Sequence, residues 1–561
     1  MAFLVSPGVQ SKEIDASNSV PGVSMSTGAI AGSFNWGPAN DIVTVGSEAE
    51  LVAAFGSPDL TTSSTFLSAA NFLMYGRTLR VVRSSRTGAL NATGAGTAIL
   101  VENDAAYEAN PTMPTGAGFI AKHPGALGNA IEVSLCPADT SGTVFGQWTV
   151  NGKDYKDSFN FAPKTSSFAN TRGISLDEMH AIVVDKTGAI TGSAGSILET
   201  FPHVSQLSDA KGSSGESIYY KNVINNSSRW VRWARHSTDL TQAGSLSSAV
   251  TGAMDSHADS IESTLTGGVD GSVSTDGQNL IAYRKFENSA ETEVDFIIGQ
   301  AVSAVQGIAL SGIADLRKDC VVCLSPPIEA SLNTDPTTAV LTWGNTINPS
   351  TYAILDSTAL KVYDKYNDVF VNIGASAAVA GCMAATDDVA DPWFSPAGVS
   401  RGQIRGVTKL LWNPSQLNRD TLYKAGINPI VSMPGQGTML FGDKTHAGAP
   451  SSFDRINVRR LFITLQKAIN LAARAQLFEF NDEFTRAQFK NMIEPFLRDV
   501  KGRRGVTDFK VVCDGTNNTG TIVDTNQFIA DIYVKPSRSI NFITLNFIVT
   551  RTGVAFSEIA G

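Results

Sequence analysis

The residues able to do chemistry are few and poorly grouped. Asp356, Asp387 and Asp391 are the carboxylates that an acid–base site in the region 290–390 would draw on. Asp387 and Asp388 are adjacent, so on any regular element they point in different directions, and they read as a loop or a cap. Cys320 and Cys323 form a C-x-x-C, yet they lie in the apolar run Asp-Cys-Val-Val-Cys-Leu, which reads as a buried strand and not a redox loop. The histidines, at 123, 180, 203, 236, 257 and 446, are not at metal-ligand spacing from one another or from a cysteine. There is no phosphate loop, no H-E-x-x-H and no G-x-S-x-G, and Gly435-Gln-Gly437 misplaces the third glycine of a dinucleotide fingerprint. No cofactor and no metal are expected. One charged pattern stands out: Arg460, Lys467 and Arg474 repeat every seven residues on one helix face. The bland reading is a solvated face. The sharper one is a lattice or tube contact with an acidic partner.

The elements that would position these groups divide the 561 residues unevenly. Residues 1–22 hold Pro7, Gly8, Pro21 and Gly22 and too few apolar groups to fold alone, so they read as an arm. Strands are expected at Ala29–Gly32, Ile42–Val45 and Leu79–Arg83. Helices are expected from Ser47, with Glu50 completing a capping box, and over Thr65–Tyr75. Residues 84–200 are rich in Gly, Ala, Thr and Ser, with short strands such as Ala130–Leu135. A glycine-rich stretch at Gly267–Gly271 marks a boundary. Beyond it, strands near Val294, Cys320 and Thr351 alternate with helix-length segments, the pattern of an α/β region. The neutral run Val369–Thr386 reads as an interior helix. Ser452 and Asp454 can cap a long helix from Arg455 to about Phe480, with Val458, Leu461, Leu465, Ala468, Ala472 and Ala475 as its buried stripe. Phe528–Lys535 and Ile540–Thr550 are strand candidates separated by a turn at Pro536.

Composition narrows the function. Lys and Arg total 43 against 52 Asp and Glu, a net charge of −9. A duplex-DNA or anionic-membrane binder needs the opposite balance. The five cysteines make no disulfide framework, no basic segment opens the chain, and no uncharged apolar run reaches membrane-spanning length of ~18 residues. Strand-forming polypeptide at both ends instead suggests assembly, because an unpaired strand offers its backbone N–H and C=O groups to another chain.

Longer motifs then carry a resemblance. Leu4–Ile14, Gly28-Ala-Ile-Ala-Gly-Ser-Phe-Asn-Trp-Gly-Pro38, Tyr75–Arg83 and His123-Pro-Gly-Ala-Leu-Gly-Asn129 occur in order. Val379–Asp387, Trp393–Gly398, Arg401–Ile404, Phe453–Leu461 and Lys535–Asn546 follow. Together they resemble the tail sheath proteins of contractile-tailed, myovirus-type bacteriophages. The stretch from about Ser84 to Gly118 is short for the family, so an extra surface domain looks reduced there. The resemblance implies an α+β and α/β multidomain fold. A β-rich outer domain would span 23–270. A mixed inner sheath domain would span 271–551, composite at about 271–440 and 441–551. An N-terminal arm (1–22) would carry Val9, Ser11, Glu13 and Ile14. A C-terminal arm (552–561) would carry Val554, Phe556 and Ile559. Both arms would add strands to neighbouring subunits. It further implies stacked hexameric rings around a tail tube, with baseplate and tail terminator proteins as partners, no direct contact with nucleic acid and no membrane insertion. The sheath would assemble in the host bacterial cytoplasm, form part of the virion, and contract to drive the tube through the cell envelope. The alternatives are another virion structural protein or an α/β enzyme built on 290–390.

Overall fold

The computed structural model describes residues 26–541 except 77, 111, 112, 114–116, 151, 236–251 and 254–258. The chain forms two compact units. Among the described residues, one holds 26–389 and 396–454 and the other holds 390–395 and 455–541.

The larger unit opens with β1 (Thr27–Gly32), β2 (Ile42–Val45), α1 (Glu48–Phe55), α2 (Ser63–Leu73) and β3 (Thr78–Arg83). Ser47 caps α1 through the Glu50 N–H, as expected. The Glu50 carboxylate accepts from Gly46 and not from Ser47, so the capping box is half made. An antiparallel sheet follows, built from β4 (Ile131–Pro137), β5 (Glu178–Asp185), β6 (Ser196–Ser205) and β7 (Ile261–Thr264) in the order β6-β5-β4-β7. Its core gathers Trp36, Ile131, Val133, Val183, Tyr220 and Val231.

The chain then enters β8 (Phe296–Ala301), α3 (Ala304–Arg317), β9 (Val321–Ser325), α4 (Pro336–Thr346) and β10 (Ala353–Asp356). The hairpin β11 (Ala359–Asp364) and β12 (Val369–Gly374), α5 (Ser376–Val389), α6 (Gln416–Lys424) and the short β13 (Ile427–Asn428) complete this part. Seven strands make one sheet in the order β2-β3-β1-β8-β9-β10-β13. All neighbours are parallel except β2 against β3. Helices cover both faces: Leu310, Ile313, Val340, Trp343 and Leu422 bury one, and α2 with α5 lie on the other. A parallel sheet buried on both sides requires continuous apolar strands, which is what Phe296–Ile298 and Val321–Leu324 supply.

This sheet redraws the expected boundary. β1 and β3 flank one another and β1 pairs with β8, with Gly28 opposite Phe296. Residues 27–83 therefore belong with the strands beyond 271, and the region from 84 to about 270 is an insertion between β3 and β8. The expected outer domain of 23–270 is in this respect corrected. Pairing across some 270 residues leaves no local trace in either strand.

Two local expectations also change. Val369–Gly374 is an edge strand whose β-branched and aromatic residues favour extended backbone. Only Ser376–Val389 is the buried small-residue helix, and it contains Asp387 and Asp388, which are not in a loop. Cys320 and Cys323 are buried and reduced at β9, as read.

The second unit contains α7 (Ile456–Arg474), α8 (Glu483–Gly502), β14 (Val506–Val512) and β15 (Asp531–Pro536). α7 ends six residues short of the expected Phe480, and Ala475 is exposed. Its N-cap is Arg455, without a side-chain cap bond, so Ser452 and Asp454 do not cap it. The N-cap of α8 is Asp482, whose side chain accepts from the Thr485 N–H at 2.8 Å. Trp393, Leu461, Leu465, Phe489, Ile493 and Leu497 form the core, with Phe509, Ile532 and Val534 packed against it.

Candidate functional site: the sheet ends and an apolar groove

The sheet of the larger unit changes winding direction between β1 and β8, the place where open α/β sheets bind ligands beyond their strand ends. Here the protein's own groups fill that crevice. Ser274 Oγ lies 2.8 Å from both Ser33 Oγ and Ser84 Oγ. Gln300 Nε2 donates to the Ala31 carbonyl at 2.9 Å. A side chain on Gly32 would meet Thr65 at 2.8 Å.

Asp356 ends β10, fully buried. Ser325 Oγ donates to it at 2.6 Å and accepts from the Ser376 N–H at 2.7 Å. Burial pushes its carboxyl up to about 8, so it is largely protonated at neutral pH. Its geometry ties the N-terminus of α5 to two strand ends. Asp391, the other carboxylate an acid–base site would need, lies in the second unit and is paired with Arg503. Burial raises its pKa while Arg503 opposes the rise.

The fold unites two histidines that the sequence separates. The rings of His180 and His203 meet edge to face, their centroids 4.6 Å apart, across β5 and β6, and the His203 backbone N–H donates to His180 Nδ1. His180 also stacks on Phe159 at 4.3 Å, and burial holds it down to about 4. Among the described residues no group of three His, Cys, Asp or Glu side chains is placed to hold a metal. No described helix is long and apolar enough to cross a membrane.

The second unit carries the most distinctive surface. A groove of about 1110 Å³ runs between α7, α8 and β15. Leu465, Ile469 and Ala473 line it from α7, Phe489 from α8, and Ile532 and Val534 from β15. Leu477, Phe478 and Phe480 lie on the connection between the helices, all exposed, with Phe484 beside them on α8. Phe478 has φ 72°, a left-handed conformation that costs a non-glycine residue on the order of 1 kcal/mol. Four large apolar side chains in solvent within eight residues mark an interaction surface. The signal is present in Leu477-Phe-Glu-Phe480, but there it reads as a continuation of α7. The pattern of α8 is not among the expected elements.

The groove borders an incomplete sheet. β14 and β15 pair antiparallel with each other and, among the described residues, with no further strand. Among the described residues, then, neither outer edge carries a partner strand, the condition under which strand addition can occur.

The basic repeat on α7 is graded along the helix. Arg460 is fully buried, Lys467 half-buried and Arg474 exposed. A uniformly solvated face is therefore ruled out, and only Lys467 and Arg474 reach the surface of the protomer. Val9, Ser11, Glu13 and Ile14, and Val554, Phe556 and Ile559, lie outside the described residues.

Comparison with known proteins places this architecture. Three family models match in chain order: "Tail sheath protein Gp18 domain III N-terminal region" over 26–83, "Phage tail sheath protein central domain" over 297–446, and "Phage tail sheath C-terminal domain" over 449–550. The first two matches cover the strands that build the seven-stranded sheet, on either side of the insertion. The third covers the helices and hairpin of the second unit. The series defines a contractile-tail structural protein.

Over its full length the chain is 32% identical to the tail sheath protein of Vibrio phage KVP40, in an alignment of 678 positions covering 100% of both chains. It is also 32% identical to the tail sheath protein of Enterobacteria phage T4, covering 100% of this chain and 99% of that one. The chain belongs to the tail sheath protein family of bacteriophages. An alignment of 678 positions against 561 residues also means that the KVP40 relative carries sequence this chain lacks. In fold it is similar to the crystal structure of the sheath tail protein from Listeria innocua, at TM-score 0.53 and 13% identity, over 93% of this chain and 97% of that one.

Proposed function

We propose that this protein polymerises as stacked hexameric rings around a tail tube, is held there in a metastable extended state, and contracts to drive the tube through the host envelope. The single observation that supports strand-linked assembly is the two-stranded sheet β14–β15, with no further strand on either edge among the described residues and an apolar groove alongside. Two arms, 1–22 and 552–561, match two edges. Each backbone hydrogen bond contributes only about 1 kcal/mol net, but a few per arm, repeated through a lattice, hold a connected mesh. The subunits then repack as near-rigid bodies while the arms stay paired. The energy is stored at assembly behind a kinetic barrier, so contraction needs no nucleotide.

In this reading the tube contact is made from the sheath domain, by Lys467 and Arg474, and the insertion 84–270 faces outward. Baseplate and tail terminator proteins hold the two ends of a sheath assembled in the host cytoplasm. Electron microscopy of the purified protein should show hollow, cross-banded tubes. Deletion of residues 1–20 should leave a folded protomer, by circular dichroism, that sediments as a small species. Normal tubes from the truncated protein would refute the arm mechanism.

A further inference from the structure

The hairpin β11–β12 carries a face that the protomer leaves uncovered. A two-residue strand, Lys409–Leu410, pairs with β11 on the side away from β12 and makes a three-stranded sheet. Tyr363 stands opposite Phe370, and Lys361 stands opposite Asn372 on one side and Lys409 on the other. Lys361 and Tyr363 are two residues apart on one strand, so all five side chains share a face. Leu360 and Val362 are buried on the reverse. On the outer face the Tyr363 and Phe370 rings pack at 5.5 Å, each about half in solvent. Lys361 reaches over the Phe370 ring at 5.4 Å.

Like charges directly opposite one another weaken an antiparallel pair. Lys361 is half-buried and Lys409 exposed, and among the described residues neither has a carboxylate partner. The hairpin's ion pair is Lys365 with Glu48, and Asp368 is taken up by the Tyr363 hydroxyl at 2.6 Å. The face is therefore aromatic at its centre and positive at its side, at a cost to the hairpin itself.

The opposite sign stands at the other end of the same stretch of chain. β12 ends beside β8, where a side chain on Gly374 would meet the Ala301 backbone nitrogen at 2.5 Å. α5 begins two residues later, its Ser376 N–H held by Ser325 at the end of β9. It packs along β8 and β9, and its 14 residues carry the chain about 21 Å back toward the starting ends of those strands. It finishes on Thr386-Asp-Asp-Val389 with no basic residue in the last turn. Carboxylates there oppose the negative end of the helix dipole. Asp388 is exposed and, among the described residues, without an ion pair, and Val389 is 82% exposed.

We infer that the Lys361–Lys409 face of one copy receives the Asp388–Val389 helix end of a second copy. The ammonium groups meet the carboxylate and the terminal carbonyls of α5, and Val389 covers the exposed rings. Each patch is unfavourable in its own protomer and is relieved by the other. The two patches differ, so the contact is heterologous: every copy offers one of each, and the contact repeats from copy to copy. They lie at the two ends of β12–α5, which sets successive copies in line with the strands of the large sheet. This rests on the polymerising reading above and names one contact within it.

The test is the pair Asp388→Cys and Lys409→Cys in the full chain, oxidised after assembly; the described native cysteines are all buried. The expected result is a ladder of disulfide-linked multimers on a denaturing gel, with the 388–409 link found by peptide mapping. Oxidation at high dilution should give monomers only. Tubes without the ladder would overturn the contact and leave the sheath reading standing. A ladder from protein that forms no tubes would keep the contact and sink the sheath reading, and neither tubes nor ladder would sink both. Should the cysteine pair misfold, charge reversal decides. Lys361→Glu with Lys409→Glu, and separately Asp388→Lys, should keep the parent circular dichroism spectrum and raise the concentration needed for assembly about tenfold. All three changes together exchange the signs across the contact and should restore assembly. Reversals without effect, or a triple variant no better than the reversals it combines, would overturn the inference. Normal assembly of the Lys361→Glu, Lys409→Glu protein with loss of binding to tail tubes would overturn it too, and would assign the face to the tube.

Discussion

Asp356 makes a pH dependence that can be worked out in sign. Its carboxyl stands at about 8 in the folded chain against 3.8 for a free side chain, because burial disfavours the charged form. Between those values the folded state holds a proton that the unfolded state has released. Its contribution to stability is therefore complete below about pH 4 and lost as the pH rises through 8, at up to about 1.4 kcal/mol per pH unit. His123, His180 and His446 act oppositely: burial depresses all three, so the unfolded state binds more protons as the pH falls below 6.5. The two effects place the stability maximum near pH 6.5, with a decline toward pH 8. Asp356→Asn should abolish that decline in urea unfolding measured from pH 6.5 to 8, and an unchanged slope would assign it to other groups. At Gly28 the constraint is steric. A side chain there would meet Phe72 at 2.6 Å and Leu79 at 3.1 Å. Gly28→Ala should cost about 1–3 kcal/mol, read from denaturant midpoints, as other overpacked cores do.

At the scale of elements, α7, α8 and the hairpin β14–β15 form a unit with its own core and an unsatisfied border. Phe478 and Phe480 sit in solvent, where their burial can contribute nothing to the fold of the protomer. Changing both to Ser should leave the protomer's thermal midpoint within a degree or two, consistent with exposed positions. The same change should raise the concentration at which tubes form, measured by sedimentation. A large fall in the midpoint instead would show that the loop supports the fold. The element boundaries explain why this surface is hard to foresee. The apolar residues after Ala472 prolong the pattern of α7, yet the helix stops at Arg474 and the chain turns through Phe478. Local periodicity does not distinguish a residue facing a core from one awaiting a partner.

For the whole molecule, the charge on α7 separates fold from assembly. Arg460 is buried, and reversing its charge would act on the fold itself. Lys467 and Arg474 are the members of the repeat that reach solvent. Lys467→Glu with Arg474→Glu should leave the circular dichroism spectrum and the midpoint unchanged and reduce the yield of extended sheath on tubes. Equal yield would return both residues to an ordinary solvated face.

The sequence alone determined the local pieces. β1, β2 and β3, the cap at Ser47, the buried cysteines of β9 and the stripe Val458, Leu461, Leu465 and Ala468 all follow from side-chain type and short-range spacing. The ordered motifs determined the family in the same way. Tertiary structure alone decided which pieces belong together. It joined β1 to β8 across the insertion, brought His180 to His203, buried Arg460 while exposing Arg474, and opened a groove beside β15. The reason is physical. Periodicity reports that a residue needs an apolar or a polar neighbour, whereas the neighbour's identity is set by contacts between segments hundreds of residues apart. A surface held ready for another chain uses the same residues as a core.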